Sequence, residues 1–265
     1  MFNQNRLRGK LALITGATSG IGKSCAEKLA QMGVNLIITG RRGNVLEDVK
    51  KDLETKYGVK VYPLQLDARN SQEVEKKIDS LSAEWKEIDI LINNAGLALG
   101  LDKVYNNSVE DIDDMIDTNV KGMLYMIRKI VPTMVKRDVP ALVVNIGSVA
   151  GDYAYAGGTV YCASKSAVKT ISDGLRIDLV DTKVKVTNIK PGLVETNFSV
   201  IRFKGDKEKA DNVYKGIEAL TPDDIAETVV YICNLPDNVQ IPEITMTPMH
   251  QANGHTLYRY SNLNK

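Results

Sequence analysis

Tyr161 and Lys165 stand four positions apart in VYCASKSAV, residues 160–168. On a helix, such a pair shares one face. A free phenol has a pKa of about 10 and is a poor acid or base near neutrality. Two unit charges about 4 Å apart interact by about 4 kcal/mol at an effective dielectric near 20. One pKa unit is about 1.4 kcal/mol, so an ammonium at that distance lowers a phenol by up to about three units. That is the range in which a general base works best. The effect needs a partly desolvated cleft, because on a solvated face the same pair is two polar residues. Ser148, in NIGSVAG, lies thirteen positions before Tyr161, just past an apolar run. Alone, a serine in such a turn reads as a local cap. Asn119 falls on the apolar stripe Ile112, Met115, Ile116, Val120 and Met123. An unsatisfied buried amide costs about 1–3 kcal/mol, so Asn119 is expected to bond backbone or an ordered water. A proton-relay role is compatible with that.

A second chemistry is written near the start. LALITGATSGIGKSCAEKLA reads as strand, glycine-rich turn and helix, with glycines at 16, 20 and 22. Such glycines let the backbone turn tightly and approach a pyrophosphate, whose charge the helix N-terminus favours. The GxxxGxG spacing differs from the common GxGxxG. After the second apolar run comes TGRRGN. An NAD site usually has an acid here for the ribose 2′-OH, whereas this chain has Arg41 and Arg42. A guanidinium forms charge-assisted bonds to a 2′-phosphate that a carboxylate would repel, so NADP is the expected cofactor. Asp67, in LDAR at the end of the third run, is an expected adenine contact. NNAG, residues 93–96, follows the fourth run, and its small residues allow close backbone approach to the cofactor.

Positioning these residues takes a regular scaffold. Short apolar runs at 11–15, 35–39, 61–66, 88–93, 141–146, 184–189 and 243–247 alternate with helical patterns near 20–32, 43–57, 71–86, 108–137, 159–180 and 221–234. Several runs are apolar on both faces, as in parallel strands covered by helices. The alternation argues for one doubly wound α/β domain, with no linker dividing residues 1–265. The rhythm breaks at about 197–216, a charged insertion after the sixth strand, where open α/β sheets build their ligand crevice. It is expected to be either a substrate lid or a mobile surface loop. Residues 250–265 have no clear period and read as a tail or as packing on a neighbouring subunit.

Composition removes other classes. With 43% hydrophobic and 25% charged residues the chain is that of a globular protein. A net charge of +1 gives no general attraction to nucleic acid or to an anionic membrane. Three scattered cysteines form neither a disulfide framework nor a metal cluster. Only His250 and His255 are present, both near the C-terminus, which argues against a histidine-based centre. The first ten residues lack a signal-peptide core, and no apolar run reaches membrane-span length, so a cytoplasmic setting is expected.

Taken together, TGATSGIG, NNAG, Asn119, Ser148, YCASK and PGLVET (residues 191–196) resemble the short-chain dehydrogenase/reductase family. The resemblance spans nearly the whole chain in order. It implies a Rossmann-type fold with a seven-stranded parallel sheet and a centre of Ser148, Tyr161, Lys165 and Asn119. Tyr161 would be the acid/base and Ser148 would hold the substrate oxygen. Lys165 would bind the nicotinamide ribose and tune Tyr161, and Asn119 would hold a relay water. Cofactor contacts would come from Gly16, Thr18, Ser19, Gly20, Ile21, Gly22, Arg41, Arg42, Asp67, Ala68, Asn93, Asn94, Ala95, Gly96, Tyr161, Lys165, Pro191, Gly192, Val194 and Thr196. Thr196 would face the carboxamide. NNAGLALG, YAYAGGTVY, RFKGD and EALTPDDIAE are similar to NADP-dependent 3-hydroxy acid dehydrogenases acting on serine, allo-threonine and related small acids. A carbonyl or diketone reductase uses the same centre and stays open, as does a non-catalytic NADP-binding regulator. The resemblance further implies a homotetramer. Arg202 or Lys204, in the insertion, is expected to hold a substrate carboxylate.

Overall fold

Apolar residues that alternate along each strand divide the core in two. A computed structural model gives the structure of residues 5–261. The first and last four positions of the expected 1–265 domain, including the end of the 250–265 segment, lie outside the described residues. The strands are β1 (Leu11–Thr15), β2 (Asn35–Gly40), β3 (Val61–Gln65), β4 (Ile90–Asn93), β5 (Ala141–Ile146), β6 (Val184–Pro191) and β7 (Glu243–Met246). They form one sheet in the order β3-β2-β1-β4-β5-β6-β7, with every pair parallel. Ala12, Ile14, Ile38, Ile92 and Val144 face one side of it. There they pack on α1 (Gly20–Gln31), α2 (Gly43–Tyr57) and α9 (Pro222–Cys233). Leu13, Ile37, Leu91, Val143 and Val186 face the other side. That side carries α3 (Ser71–Asp79), α5 (Met123–Arg137) and α6 (Thr159–Asp178). Both faces are covered, which is why the strands read as continuous apolar runs. The chain is a Rossmann-type α/β fold. The sequence order reverses between β1 and β4, and in such sheets the crevice opens beyond the strand ends at that point.

Three elements differ from the sequence reading. The pattern at 71–86 is not one helix. It stops at Asp79, and a single 3₁₀ turn at Ala83–Trp85 follows. That turn brings Trp85 into the core, 5.4 Å from the Tyr62 ring. The pattern at 108–137 is α4 (Val109–Ile116), a π-helical segment at Asp117–Gly122, and α5. The insertion folds into two short helices, α7 (Phe198–Arg202) and α8 (Lys207–Tyr214).

The C-terminal segment packs within its own chain. Gln251 accepts the Leu193 N–H at 2.8 Å, just past the end of β6. Arg259 donates to the Lys215 carbonyl at 2.6 Å, and the Tyr260 N–H donates to the Gly216 carbonyl at 2.8 Å. Residues 250–260 therefore bind both ends of the region that follows β6.

Candidate active site

The turn between β1 and α1 is built around positions that exclude a Cβ. Gly16 takes a left-handed φ of +69°, and a Cβ on it would lie 3.1 Å from Asn94 Nδ2 and from Ala95 Cα. A Cβ on Gly22 would collide with Asn94 and with the Gly16 carbonyl. Asn94 is held there by its own side chain, which donates to the carbonyls of Thr15 at 2.9 Å and Gly16 at 3.2 Å. Thr15 Oγ1 in turn accepts the N–H groups of Asn94 and Ala95, each at 3.0 Å. Gly20, with φ +54°, faces Thr196 across the crevice, and a Cβ on it would lie 3.5 Å from the threonine methyl carbon. Ser19 gives α1 no side-chain cap. The first N–H groups of the helix are thus directed at the crevice mouth, where they suit an anion.

At the end of β2, Arg41 and Arg42 are exposed. Arg42 donates to Thr18 Oγ1 at 2.7 Å, which ties the basic pair to the glycine turn. Asp67 is clamped by Arg69, whose Nη2 lies 2.7 Å from its carboxylate. The Arg69 guanidinium holds the Asp67 carboxyl below its ordinary range, against the opposing effect of burial. The Ala68 carbonyl packs against Gly122 at the end of the π-helical segment. Pro191, Gly192 and Val194 line the chain leaving β6. Gly192 N–H donates to the Met246 carbonyl at 2.7 Å, and Val194 pairs with Leu220. Ile21 packs its side chain on the core beneath the turn. The glycine cradle, the uncapped helix start and the two arginines together fit a phosphorylated dinucleotide.

The four residues expected to form a reactive centre come together on α6 and the turns that meet it. Ser148, past the end of β5, accepts the Ala150 N–H at 3.1 Å and donates to the Pro191 carbonyl at 3.4 Å, and its side chain acts on the Tyr161 phenol. Lys165 is buried, and its Nζ donates to the Ile146 carbonyl at 2.8 Å. It lies 5.9 Å from the centre of the Tyr161 ring. A Cβ on Gly96 would sit 3.2 Å from Asn119 Oδ1 and 3.5 Å from Lys165 Nζ, so NNAG, Asn119 and Lys165 meet at one point. Asn119 is buried and fully engaged. It accepts the Leu97 N–H at 2.8 Å and donates to the Leu97 carbonyl at 2.8 Å and to Ser164 Oγ at 2.9 Å. The expected backbone bond is therefore present.

The expectation that Lys165 lowers Tyr161 is not met in the protein alone. Burial pushes the Tyr161 phenol up to about 12, outweighing Arg202 and the Ser148 hydrogen bond. Burial also pushes Lys165 down to about 8. At a pH where Tyr161 begins to ionise, Lys165 has already lost its proton and has no charge to lend. The cation facing the Tyr161 ring is instead Arg202, with Cζ 5.1 Å from the centroid. Lys204 points away, exposed and paired with Asp111 at 2.8 Å.

Sequence reasoning passed over several residues that build this site. Thr15 and Gln251 act through bonds to distant backbone, and Ser164 through one from the distant Asn119 side chain, which no local pattern reveals. Tyr155 belongs to no motif of its own, yet its hydroxyl accepts from Arg202 Nη2 at 2.7 Å. The aromatic run YAYAGG was its only signal.

The family model described as short chain dehydrogenase matches residues 10–206. The chain belongs to the short-chain dehydrogenase family. It is 46% identical over 256 residues to an NADP-dependent 3-hydroxy acid dehydrogenase of Schizosaccharomyces pombe, covering 96% of this chain and 98% of that protein. An Escherichia coli protein of the same name is 47% identical over 243 residues, covering 91% and 96% of the two chains. Among solved structures, the closed form of a serine dehydrogenase complexed with NADP+ superposes with a TM-score of 0.87 at 45% identity, over 96% of this chain and 98% of that one. Serine dehydrogenase from Escherichia coli gives 0.79 at 42% identity, over 91% and 99%. Among the described residues no cluster of side chains could hold a metal ion, and no helix is long and apolar enough to cross a membrane.

Proposed function

We propose that this protein is an NADP-dependent oxidoreductase that interconverts a small 3-hydroxy acid and its carbonyl form. The observation that carries the reading is the meeting of Ser148, Tyr161, Lys165 and Asn119 beside a glycine cradle flanked by Arg41 and Arg42. NADP, when bound, supplies the hydride acceptor. Gly16, Gly20 and Gly22 would admit its pyrophosphate, Arg41 and Arg42 its 2′-phosphate, and Lys165 its nicotinamide ribose.

Tyr161 and Ser148 face the substrate hydroxyl from one side. Ser148 orients the oxygen, and Tyr161 takes its proton in oxidation and returns it in reduction. Holding both reactants in register contributes much of the rate. Asn119 fixes the Leu97 backbone against α6, leaving the floor of the cleft rigid for proton transfer. The substrate class follows the relatives named above and the cationic insertion. A diketone reductase is the second reading, because nothing in Ser148 or Tyr161 distinguishes a carbonyl beside a carboxylate from one beside a ketone.

The homotetramer implied by the family is supported by apolar residues left exposed on α5, on α6 and just beyond α6. Leu124 is 41% exposed, Ile177 72% and Val180 85%. Light scattering of the purified chain tests it. The cytoplasm is the compartment this reading assigns.

The test is a panel of NADP and NAD against serine, allo-threonine, 3-hydroxyisobutyrate and a vicinal diketone, run on wild type and Tyr161→Phe. We expect oxidation of the hydroxy acids with NADP, and a Tyr161→Phe variant that binds NADP without turning over. Preference for NAD, or turnover surviving in Tyr161→Phe, refutes the reading.

A further inference from the structure

The structure assigns Arg202, oriented by Tyr155, as the residue that takes the substrate carboxylate, with no part for Lys204. This rests on the hydroxy-acid reading above and narrows it.

Arg202 closes α7 at the edge of the cleft. Its guanidinium faces three aromatic rings, with Cζ 5.1 Å from the centre of Tyr161, 5.4 Å from Phe198 and 5.8 Å from Tyr155. Its Nε is buried without a partner. Among the described residues no ion pair includes it, whereas Lys204, two positions on, is neutralised by Asp111. Aromatic faces attract a cation, and one phenol oxygen accepts one of its hydrogens. Neither supplies the counter-charge that a partly buried guanidinium calls for. What fits is a planar anion that accepts two parallel N–H groups, and a carboxylate has that shape.

Arg202 also sits beside the reacting group, its Cζ 5.1 Å from the centre of the Tyr161 ring.

Tyr155 is the positioning residue. Its hydroxyl accepts from Arg202 Nη2 at 2.7 Å, and its ring fills the space that a Cβ on Gly158 would need. Gly158 directly precedes α6. The arginine is therefore referenced to the helix that carries Tyr161. The Arg202 carbonyl is fixed as well, accepting the Gly100 N–H at 2.9 Å.

The experiment compares Arg202→Met, Tyr155→Phe and Lys204→Met with wild type, using 3-hydroxypropionate and the neutral 2,3-butanedione. Arg202→Met is expected to raise KM for the acid by about 100-fold, the size of a charge-assisted hydrogen bond, and to cost the acid at least about tenfold more in kcat/KM than it costs butanedione. Tyr155→Phe is expected to raise KM for the acid by about tenfold at unchanged kcat, as removal of one positioning bond would. Lys204→Met leaves both reactions unchanged. Calorimetric titration of the NADP+ complex with malonate reads the same site without turnover. It should bind wild type and Lys204→Met alike, and Arg202→Met about 100-fold more weakly. Equal losses on acid and diketone in Arg202→Met, or malonate affinity that it does not change, overturn the assignment. The hydroxy-acid reading then stands as long as wild type oxidises 3-hydroxypropionate. A wild type that reduces butanedione and ignores the acid fails that reading, and the assignment with it.

Discussion

Lys165 and Tyr161 stand one helical turn apart and make no bond to each other. The lysine donates to the Ile146 carbonyl at 2.8 Å and lies 5.9 Å from the centre of the phenol ring. Burial moves the two pKa values in opposite directions, Tyr161 up to about 12 and Lys165 down to about 8. The protein by itself thus holds both groups neutral over a wide range above pH 8. Whatever restores the charge on Lys165 also lowers Tyr161.

The phenol is therefore expected to stay protonated in the cofactor-free protein. The difference in phenolate absorbance between wild type and Tyr161→Phe should be flat up to pH 10. A difference titration centred below 9 would sink this account.

Lys165 makes a stability prediction with a definite sign. The folded pKa of about 8 lies below the unfolded value of about 10.4, so between these limits the unfolded state binds more protons. Stability then rises with pH, by at most about 1.4 kcal/mol per unit. Urea midpoints of wild type relative to Lys165→Met should climb between pH 8 and 10. A falling or level difference contradicts the assigned burial.

Asn119 closes three hydrogen bonds, two to Leu97 and one to Ser164. Asn119→Ala leaves the Leu97 N–H and carbonyl without partners and should cost about 2–4 kcal/mol. Ser164→Ala removes one bond from Asn119 and one to the Tyr161 carbonyl, a carbonyl inside α6, and should cost about 1 kcal/mol. Denaturant unfolding measures both, and equal costs would mean that the Leu97 bonds contribute nothing.

Arg41 and Arg42 should carry the preference for NADP over NAD. Replacing both by alanine is expected to weaken NADP binding about 10- to 100-fold, the size of one charge-assisted hydrogen bond to the 2′-phosphate, and to leave NAD binding unchanged. Equal weakening for both cofactors would assign the arginines to the fold of the turn.

The sheet was legible because both of its faces are buried, so each strand announced itself as an apolar run with β-branched residues. The glycine turn was legible because its requirement is steric: Gly22 has no room for a Cβ. What stayed hidden is long-range. The π-helical segment at Asp117–Gly122 leaves the apolar stripe of α4 and α5 intact and has no period of its own. Tyr155 and Arg202 are 47 positions apart and meet only because the insertion folds back over the start of α6. The magnitude of the Lys165 effect failed for a related reason. The spacing of a lysine and a tyrosine gives their proximity, whereas burial of both decides which of them keeps a charge.

The bonds from Arg259 and Tyr260 to Lys215 and Gly216 join the C-terminal segment to the end of α8, and Gln251 joins it to the chain leaving β6. Mechanically, residues 198–216 and the tail are one part with two fastenings. If residues 198–216 swing to release product, they must break the bonds at Gly216 or drag the tail with them. The tail then acts as a spring on the exit step, and its length becomes a lever on turnover that touches no reacting atom.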